Sequence, residues 1–293
     1  SLSLGGLTYG VTNMELTSAY ASIANGGTYQ KPVLYTKVVD HNGNILLSNT
    51  QKGKRVMKES TAFLLTDAMK DVITKGTGKS AKLSSSMAVA GKSGTTSNSY
   101  DYWFSGYTPY HTASVWMGYD KNTNFASDNT HKKIWAKVMN EIIKTKQEQT
   151  TDFKKPADIV KAKVCKESGK LAIKGVCDHD PRGSRVITEY FEKGTVSTQT
   201  CDIHVAVEVC KTSDKLATKN CPANKKQRKI YIVRKKGSHG KTADSSLSAS
   251  KKISICFLQE TLTVDLLYFY IKKGFSQIRI PFFSLFHTPA FIF

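Results

Sequence analysis

The stretch Met87–Pro109, MAVAGKSGTTSNSYDYWFSGYTP, constrains the fold of this chain more than any other. Apolar residues run into Gly91-Lys92-Ser93-Gly94, small polar residues follow, and an aromatic-rich run returns. That order reads as strand, tight turn and strand. Gly91-Lys92-Ser93 could also close a phosphate-binding loop, and spacing decides between the two. Such a loop needs a glycine five residues before its Gly-Lys-Ser, so that the intervening amides wrap a phosphate. Ser86 holds that position, and Met87-Ala88-Val89-Ala90 between them looks like strand. Gly94 also falls where the loop's helix would run, at about 1 kcal/mol against alanine. The nucleotide reading is set aside on these grounds.

Around this segment the pattern predicts a mixed helix and strand fold. Thr12-Asn13-Met14-Glu15 has capping-box spacing, with Leu16, Ala19, Tyr20, Ile23 and Ala24 at helical intervals and Gly26-Gly27 as the exit. KPVLYTKVVDHNGNILLS reads as a hairpin turning at Asn42-Gly43. A second helix is predicted from about Ser60 to Thr74, burying Leu65, Met69, Val72 and Ile73 and stopping at Gly76. Strands are expected at Ala88–Thr95, Tyr102–Tyr107 and Ala113–Tyr119. A third helix near Lys132–Ile143 would carry Ile134, Trp135, Val138, Met139 and Ile142 on one face.

Charge and composition divide the rest. The 293 residues include 43 Lys and Arg against 23 Asp and Glu, a net charge of +20 spread along the chain. Such a surface favours anionic partners: nucleic acid, acidic lipid or an anionic cell-wall polymer. From about Lys155 to Arg234 the chain is lysine-rich and holds five of its six cysteines. A Gly/Ser/Lys-rich link follows, and Lys251–Phe293 is dense in Phe, Ile and Leu with no period. This gives expected segments at 1–150, 151–235 and 236–293, the last read as a linker and an anomalous, non-native or disordered tail. No internal repeat is apparent. No signal peptide is visible, Ser1–Gly6 reads like the interior of a domain, and Ile280–Phe293 is too short to span a bilayer.

AGKSGTT, DYWFSGYTP and SVWMGYD, with GGLTYGVTNMELTSAYASIANGGTYQKP before them, resemble the closing blocks of the transpeptidase domain in class A penicillin-binding proteins. The resemblance covers roughly residues 1–145. It implies an α/β fold of the α+β type, an antiparallel sheet with helices on both faces, of which the N-terminal half is missing here. It further implies a serine D,D-transpeptidase that crosslinks peptidoglycan stem peptides, is acylated by β-lactams, and sits on the outer face of the cell membrane beside a glycosyltransferase. Stem peptides, lipid-linked precursors, β-lactams and anionic cell-wall polymers are the partners to expect; nucleic acid, metal and cofactor are not.

The resemblance makes Lys92, Ser93, Gly94, Thr95 and Thr96 the substrate-binding residues. Lys92 offers a cation for a terminal carboxylate. Alternation along a strand puts Lys92 and Gly94 on one side and Ser93 and Thr95 on the other. Gly94 leaves room for an extended peptide, and the amide near Thr95–Thr96 is a candidate oxyanion donor. The family's nucleophile, a serine three residues before a lysine, and its Ser-x-Asn motif should both precede Lys92; neither occurs there. Ser248-Ala249-Ser250-Lys251 fits the spacing on the wrong side of the motif. The nucleophile is therefore expected upstream of this chain, and a non-catalytic cell-wall-binding module is the rival reading.

Trp103, Phe104, Tyr107 and Trp116 are expected between sheet and helices, Asp101 at a turn, and Glu15 at a helix cap. CKESGKLA and EYFEKGTVSTQTC resemble a C-terminal extension of the same family. No Cys-x-x-Cys occurs among Cys165, Cys177, Cys201, Cys210 and Cys221, which argues against a zinc ribbon. The outer-surface location that the resemblance implies makes disulfides, of undetermined pairing and with one cysteine left over, the expectation. His179 and His204 are expected at the surface.

Overall fold

The computed structural model describes residues 5–49 and 52–233, and these separate into two units. The first runs to Val160 and takes in Phe191–Lys193; the second comprises Lys161–Tyr190 and continues from Gly194. The anomalous tail, the linker at 236–250 and Ser248–Lys251 lie outside the described residues.

In the first unit α1, Asn13–Ala24, begins at the anticipated capping box. The Glu15 amide donates to Thr12 Oγ1 at 3.2 Å, and the Thr12 amide donates back to the Glu15 carboxylate at 2.8 Å. Gly26 and Gly27, at φ 59° and 87°, turn the chain out of the helix in the left-handed region. β1 (Thr28–Tyr29), β2 (Lys37–Val39), β3 (Ile45–Ser48) and β4 (Lys54–Arg55) follow, with β1 on β4 and β2 on β3, both antiparallel. The β2–β3 turn closes at Asn42-Gly43, and the Asp40 carboxylate accepts the amides of Asn42 and Asn44.

α2, Glu59–Thr74, leads to the central sheet: β5 (Ala90–Thr95), β6 (Asp101–Tyr107) and β7 (Thr112–Gly118), antiparallel in that spatial order. α3 follows at Thr130–Lys146. Side chains alternate across β6, so Phe104 and Tyr107 point to opposite faces. On Tyr107's face Ala90 packs with Tyr20 and Ile23 of α1 and Ala62 and Met69 of α2. On Phe104's face lie Trp135, Met139 and Ile143 of α3, joined by Ile73, Leu83 and Val89. Helices thus cover both faces, as expected. The stripe on α3 is narrower than its sequence pattern: Trp135, Met139 and Ile143 are buried, whereas Ile134 and Val138 are exposed at 44% and 48%. Their rotation about the helix axis puts them beside, not on, the row that meets the sheet.

The second unit contains most of β8 (Ile159–Cys165) and β9 (Val186–Glu192), which are hydrogen-bonded neighbours, and all of β10 (His204–Cys210) and β11 (Lys226–Ile232), an antiparallel pair. It also shows an internal repeat that the sequence reading did not find. Val164-Cys165-Lys166 and Val209-Cys210-Lys211 open the same tight turn. Cys165 N donates to Lys170 O as Cys210 N does to Lys215 O, and Gly169 N to Cys165 O as Asp214 N to Cys210 O. Val164 bridges Leu171 as Val209 bridges Leu216. Gly169 and Asp214 both take positive φ, 68° and 55°, so the turn geometry is kept although the residue is not. The repeat is legible in the sequence as Val-Cys-Lys-x-Ser-x-Lys-Leu-Ala at 164–172 and again at 209–217, with the next cysteine one residue nearer in the second copy.

Candidate functional site

β5 has β6 on one side and no strand on the other among the described residues. The register pairs Lys92 with Ser105, Ser93 with Phe104, Gly94 with Trp103 and Thr95 with Tyr102. Paired residues share a face. Lys92 and Gly94 therefore lie with Trp103, while Ser93 and Thr95 lie with Phe104 on the α3 side.

Hydrogen-bond parity sets what the open edge presents. Thr96 N donates to Asp101 O at 3.2 Å, which makes that pair a bonded one. Bonded and non-bonded pairs alternate in an antiparallel ladder. The backbone groups of Thr95 and Ser93 consequently point away from β6, towards the open edge. Thr96 cannot serve as an oxyanion donor, because its amide is committed within the hairpin and its Oγ1 accepts the amides of Tyr100 and Asp101. Thr96 organises the turn; Thr95 carries the free amide.

The Lys92 ammonium donates to Ser93 O at 2.6 Å. Burial around it pushes the Lys92 pKa below its usual value, although the residue as a whole is exposed. Ser93 Oγ shares a hydrogen bond of 2.8 Å with Thr77 Oγ1 on the opposite face. Lys132 of α3, which the sequence reading missed, is buried and donates to Thr77 O at 2.9 Å and Asn129 Oδ1 at 2.7 Å. Burial first, then the charge of Lys92, lowers its pKa. Nothing in its helical spacing separates Lys132 from a surface lysine; only the tertiary fold brings it behind Ser93.

Of the four aromatics expected in the core, Phe104 and Tyr107 are fully buried. Trp103 is half-buried and Trp116 is exposed at 39%, their ring centroids 6.3 Å apart on the Lys92–Gly94 face. The Asp101 carboxylate holds this pair by accepting from Trp116 Nε1 at 2.9 Å. Both lie towards the hairpin end of the face, two residues from the ends of β6 and β7 at Asp101 and Gly118. A cleft of about 910 Å³ lined by Asn13, Thr17, Ala21, Tyr110 and Ser114 lies elsewhere and does not include Lys92.

The cysteines depart further from expectation. All five described cysteines are free thiols, so the expected disulfides are not formed. His204 is buried, not at the surface, whereas His179 is exposed. Cys165, Cys177, Cys201 and His204 converge, with ligand atoms all within 4.8 Å of one another. A search for Cys-x-x-Cys passes over this group; Cys201-Asp202-Ile203-His204 was the usable signal.

Two family patterns match the chain. One, described as the penicillin binding protein transpeptidase domain, matches residues 1–144. The other, the C-terminal domain of penicillin-binding protein 1A, matches residues 155–206. Penicillin-binding protein 1A of Clostridium botulinum (strain Langeland) is 37% identical over 240 residues, which is 80% of this chain and 28% of that protein. Penicillin-binding protein 1A/1B of Bacillus subtilis is 32% identical over 202 residues, 64% of this chain and 22% of that protein. The chain thus spans about a quarter of the length of these relatives. A crystal structure of penicillin-binding protein 1A from Haemophilus influenzae superposes with a TM-score of 0.51 at 23% identity, over 65% of this chain and 33% of that one, a likeness of fold.

Proposed function

The chain belongs to the penicillin-binding protein transpeptidase family, and from that premise we propose that it is part of a peptidoglycan D,D-transpeptidase working through an acyl-serine intermediate. The observation that carries this reading is the open edge of β5. Its outward backbone groups at Ser93 and Thr95 can pair with an extended peptide, as an added strand would. Gly94 presents no side chain to that peptide; a Cβ there would meet Trp103 Cβ at an ordinary contact distance of 3.5 Å, so the glycine serves by leaving space and not by avoiding a clash. Lys92 exchanges its contact with Ser93 O for the terminal carboxylate of a stem peptide or of a β-lactam. The free amide of Thr95 is the donor for the oxyanion that develops as the carbonyl is attacked.

The nucleophilic serine and its lysine base belong, in family order, to a segment before this strand; no Ser-x-x-Lys precedes Lys92 in these residues. The chain by itself then binds and does not react. The domain division at about residues 150 and 235 and a site on the outer face of the membrane belong to the same proposal. Among the described residues no helix is long and apolar enough to cross a membrane.

Fluorescent penicillin tests this directly. The 293-residue chain should take up no label on a denaturing gel, while a longer protein that also carries the preceding Ser-x-x-Lys segment should. In that longer protein Lys92→Ala should slow acylation by roughly 10- to 100-fold, the value of one charge-assisted hydrogen bond, with an unchanged melting curve. A covalent adduct on the short chain, or an unchanged rate in the variant, would sink the assignment. Absence of labelling in the longer protein would favour the wall-binding module.

A further inference from the structure

The second unit is short of hydrocarbon. Its buried cluster consists of Cys165, Cys177 and Cys201, with Ala172, Ile173, Val186 and Ile203 packed against it. We infer that these three cysteines and His204 form a closed, four-coordinate structural site for a zinc ion. The inference is independent of the transpeptidase reading.

Three observations carry it. The first is convergence: all four side chains are buried, with ligand atoms within 4.8 Å of one another. A tetrahedral ion with bonds of about 2.3 Å to sulfur holds its ligands roughly 3.7 Å apart, so a small inward movement closes the site. The second is orientation. His204 Nδ1 stands 3.4 Å from both Cys165 Sγ and Cys201 Sγ, while Nε2 lies 2.7 Å from Asp180 Oδ2. Asp180 is buried and clamped by Arg182, whose Nε and Nη2 donate at 3.0 and 2.9 Å. A carboxylate on one ring nitrogen fixes the proton there and leaves the lone pair of the other for a metal. The amide of Ile173 donates to Cys177 Sγ at 3.2 Å, a contact that stabilises a thiolate.

The third is the repeat. Cys210 and Cys221 stand where Cys165 and Cys177 stand in the first copy, and both are only half-buried. No cysteine lies between Cys221 and Cys256, so the second copy offers two sulfurs and no counterpart to Cys201. The turn alone therefore does not gather four ligands; the Cys201-x-x-His204 segment does. A disulfide among the first three cysteines would strand the third thiol in the interior and leave the clamped imidazole without a partner.

Binding releases the three thiol protons to solvent and leaves the centre with one net negative charge. All four positions are filled by protein, so no site remains for water or substrate, and the ion's role is to hold the fold. A sulfur-rich set favours zinc over magnesium or calcium.

The whole 293-residue chain, purified without chelator, should contain about one zinc per chain by elemental mass spectrometry. Reconstitution with cobalt(II) should give the intense visible bands of a tetrahedral thiolate centre. His204→Ala and Cys201→Ala should lose the metal, His204→Cys should keep it, and Cys210→Ser should leave it unchanged. Asp180→Asn, acting through His204, should weaken zinc about 10- to 100-fold in competition with a chromophoric chelator. A chain that holds no zinc and develops no cobalt–thiolate bands would overturn the site. So would a disulfide between any two of Cys165, Cys177 and Cys201 in the unreduced protein, or loss of metal from Cys210→Ser equal to that from Cys201→Ala.

Discussion

The first unit closes over carbon and the second over sulfur. Between the central sheet and α3, Phe104, Trp135 and Met139 are buried at 0%, 1% and 0% exposure, an ordinary hydrocarbon core. In the second unit the residues at the same depth are Cys165 and Cys177, both at 0%. A core of the first kind draws its stability from many small contacts spread over the unit. A unit of the second kind has too little apolar surface to fold on that alone, and small units of this sort lean on a disulfide or a metal. The two should therefore fail differently.

The largest effect should come from taking the metal away. Structural zinc contributes about 10–16 kcal/mol of apparent binding energy in small folds, which exceeds what one side chain can supply. Chelation should expose the amides of Cys165, Cys201 and Cys210, protected by bonds to Lys170 O, Leu171 O and Lys215 O, to rapid hydrogen exchange. The helices of the first unit should keep their protection. Equal exchange across Lys161–Tyr190 with and without chelator would dissolve the contrast between the units.

Next in size, Trp135→Ala should cost about 3–5 kcal/mol in urea unfolding of the first unit. It opens a cavity against Phe104, whose ring centroid is 5.2 Å away, and orphans Ala113 O, which accepts from Trp135 Nε1 at 2.9 Å. Zinc content should not change. Tyr107→Phe is a gentler probe of the same unit. Burial keeps the Tyr107 phenol far above its usual pKa, so it stays neutral and shares a 2.8 Å hydrogen bond with Thr66 Oγ1. Thr66 retains its bond to Ala62 O, and the loss should be about 1 kcal/mol.

How much of this could be read from the sequence follows the same division. In the first unit the signals were local. The Thr12–Glu15 cap, the Asn42-Gly43 turn, and the alternation from Lys92 to Thr95 each sit within a few residues, and each was placed correctly. The failures there were of rotation and depth: Ile134 and Val138 at the side of α3, Trp116 left exposed on its sheet face, Lys132 sunk behind Ser93. The free amide at Thr95 needed the register, since sequence alone could not separate it from Thr96. In the second unit the decisive contacts join residues that are distant along the chain, such as His204 with Cys165 and Asp180. No period announces them. The repeat that exposes the odd copy was the exception: Val-Cys-Lys-x-Ser-x-Lys-Leu-Ala stands at both 164–172 and 209–217, a local signal that the sequence reading passed over.

The smallest effect tests whether those local signals matter energetically. Thr12→Ala removes the hydroxyl that accepts the Glu15 amide and donates to its carboxylate at 2.9 Å, at a cost of about 1 kcal/mol at neutral pH. The backbone and side-chain hydrogen bonds from Thr12 hold the Glu15 carboxyl below its ordinary value. A carboxyl with a depressed folded pKa contributes stability that is fully present above its unfolded pKa, about 4.3 for glutamate. That contribution is lost as pH falls through the lower folded value. The gap between the parent chain and Thr12→Ala should then narrow as pH falls below the ordinary glutamate range, because a protonated Glu15 no longer accepts strongly from the hydroxyl. Glu15→Gln should flatten the dependence. The second unit has no α-helix among the described residues, so its exchange rates should not respond to either substitution. A gap that stays constant from neutral pH down to pH about 3 would mean that the Thr12–Glu15 box sets only where α1 begins, and that its carboxylate adds nothing to holding it.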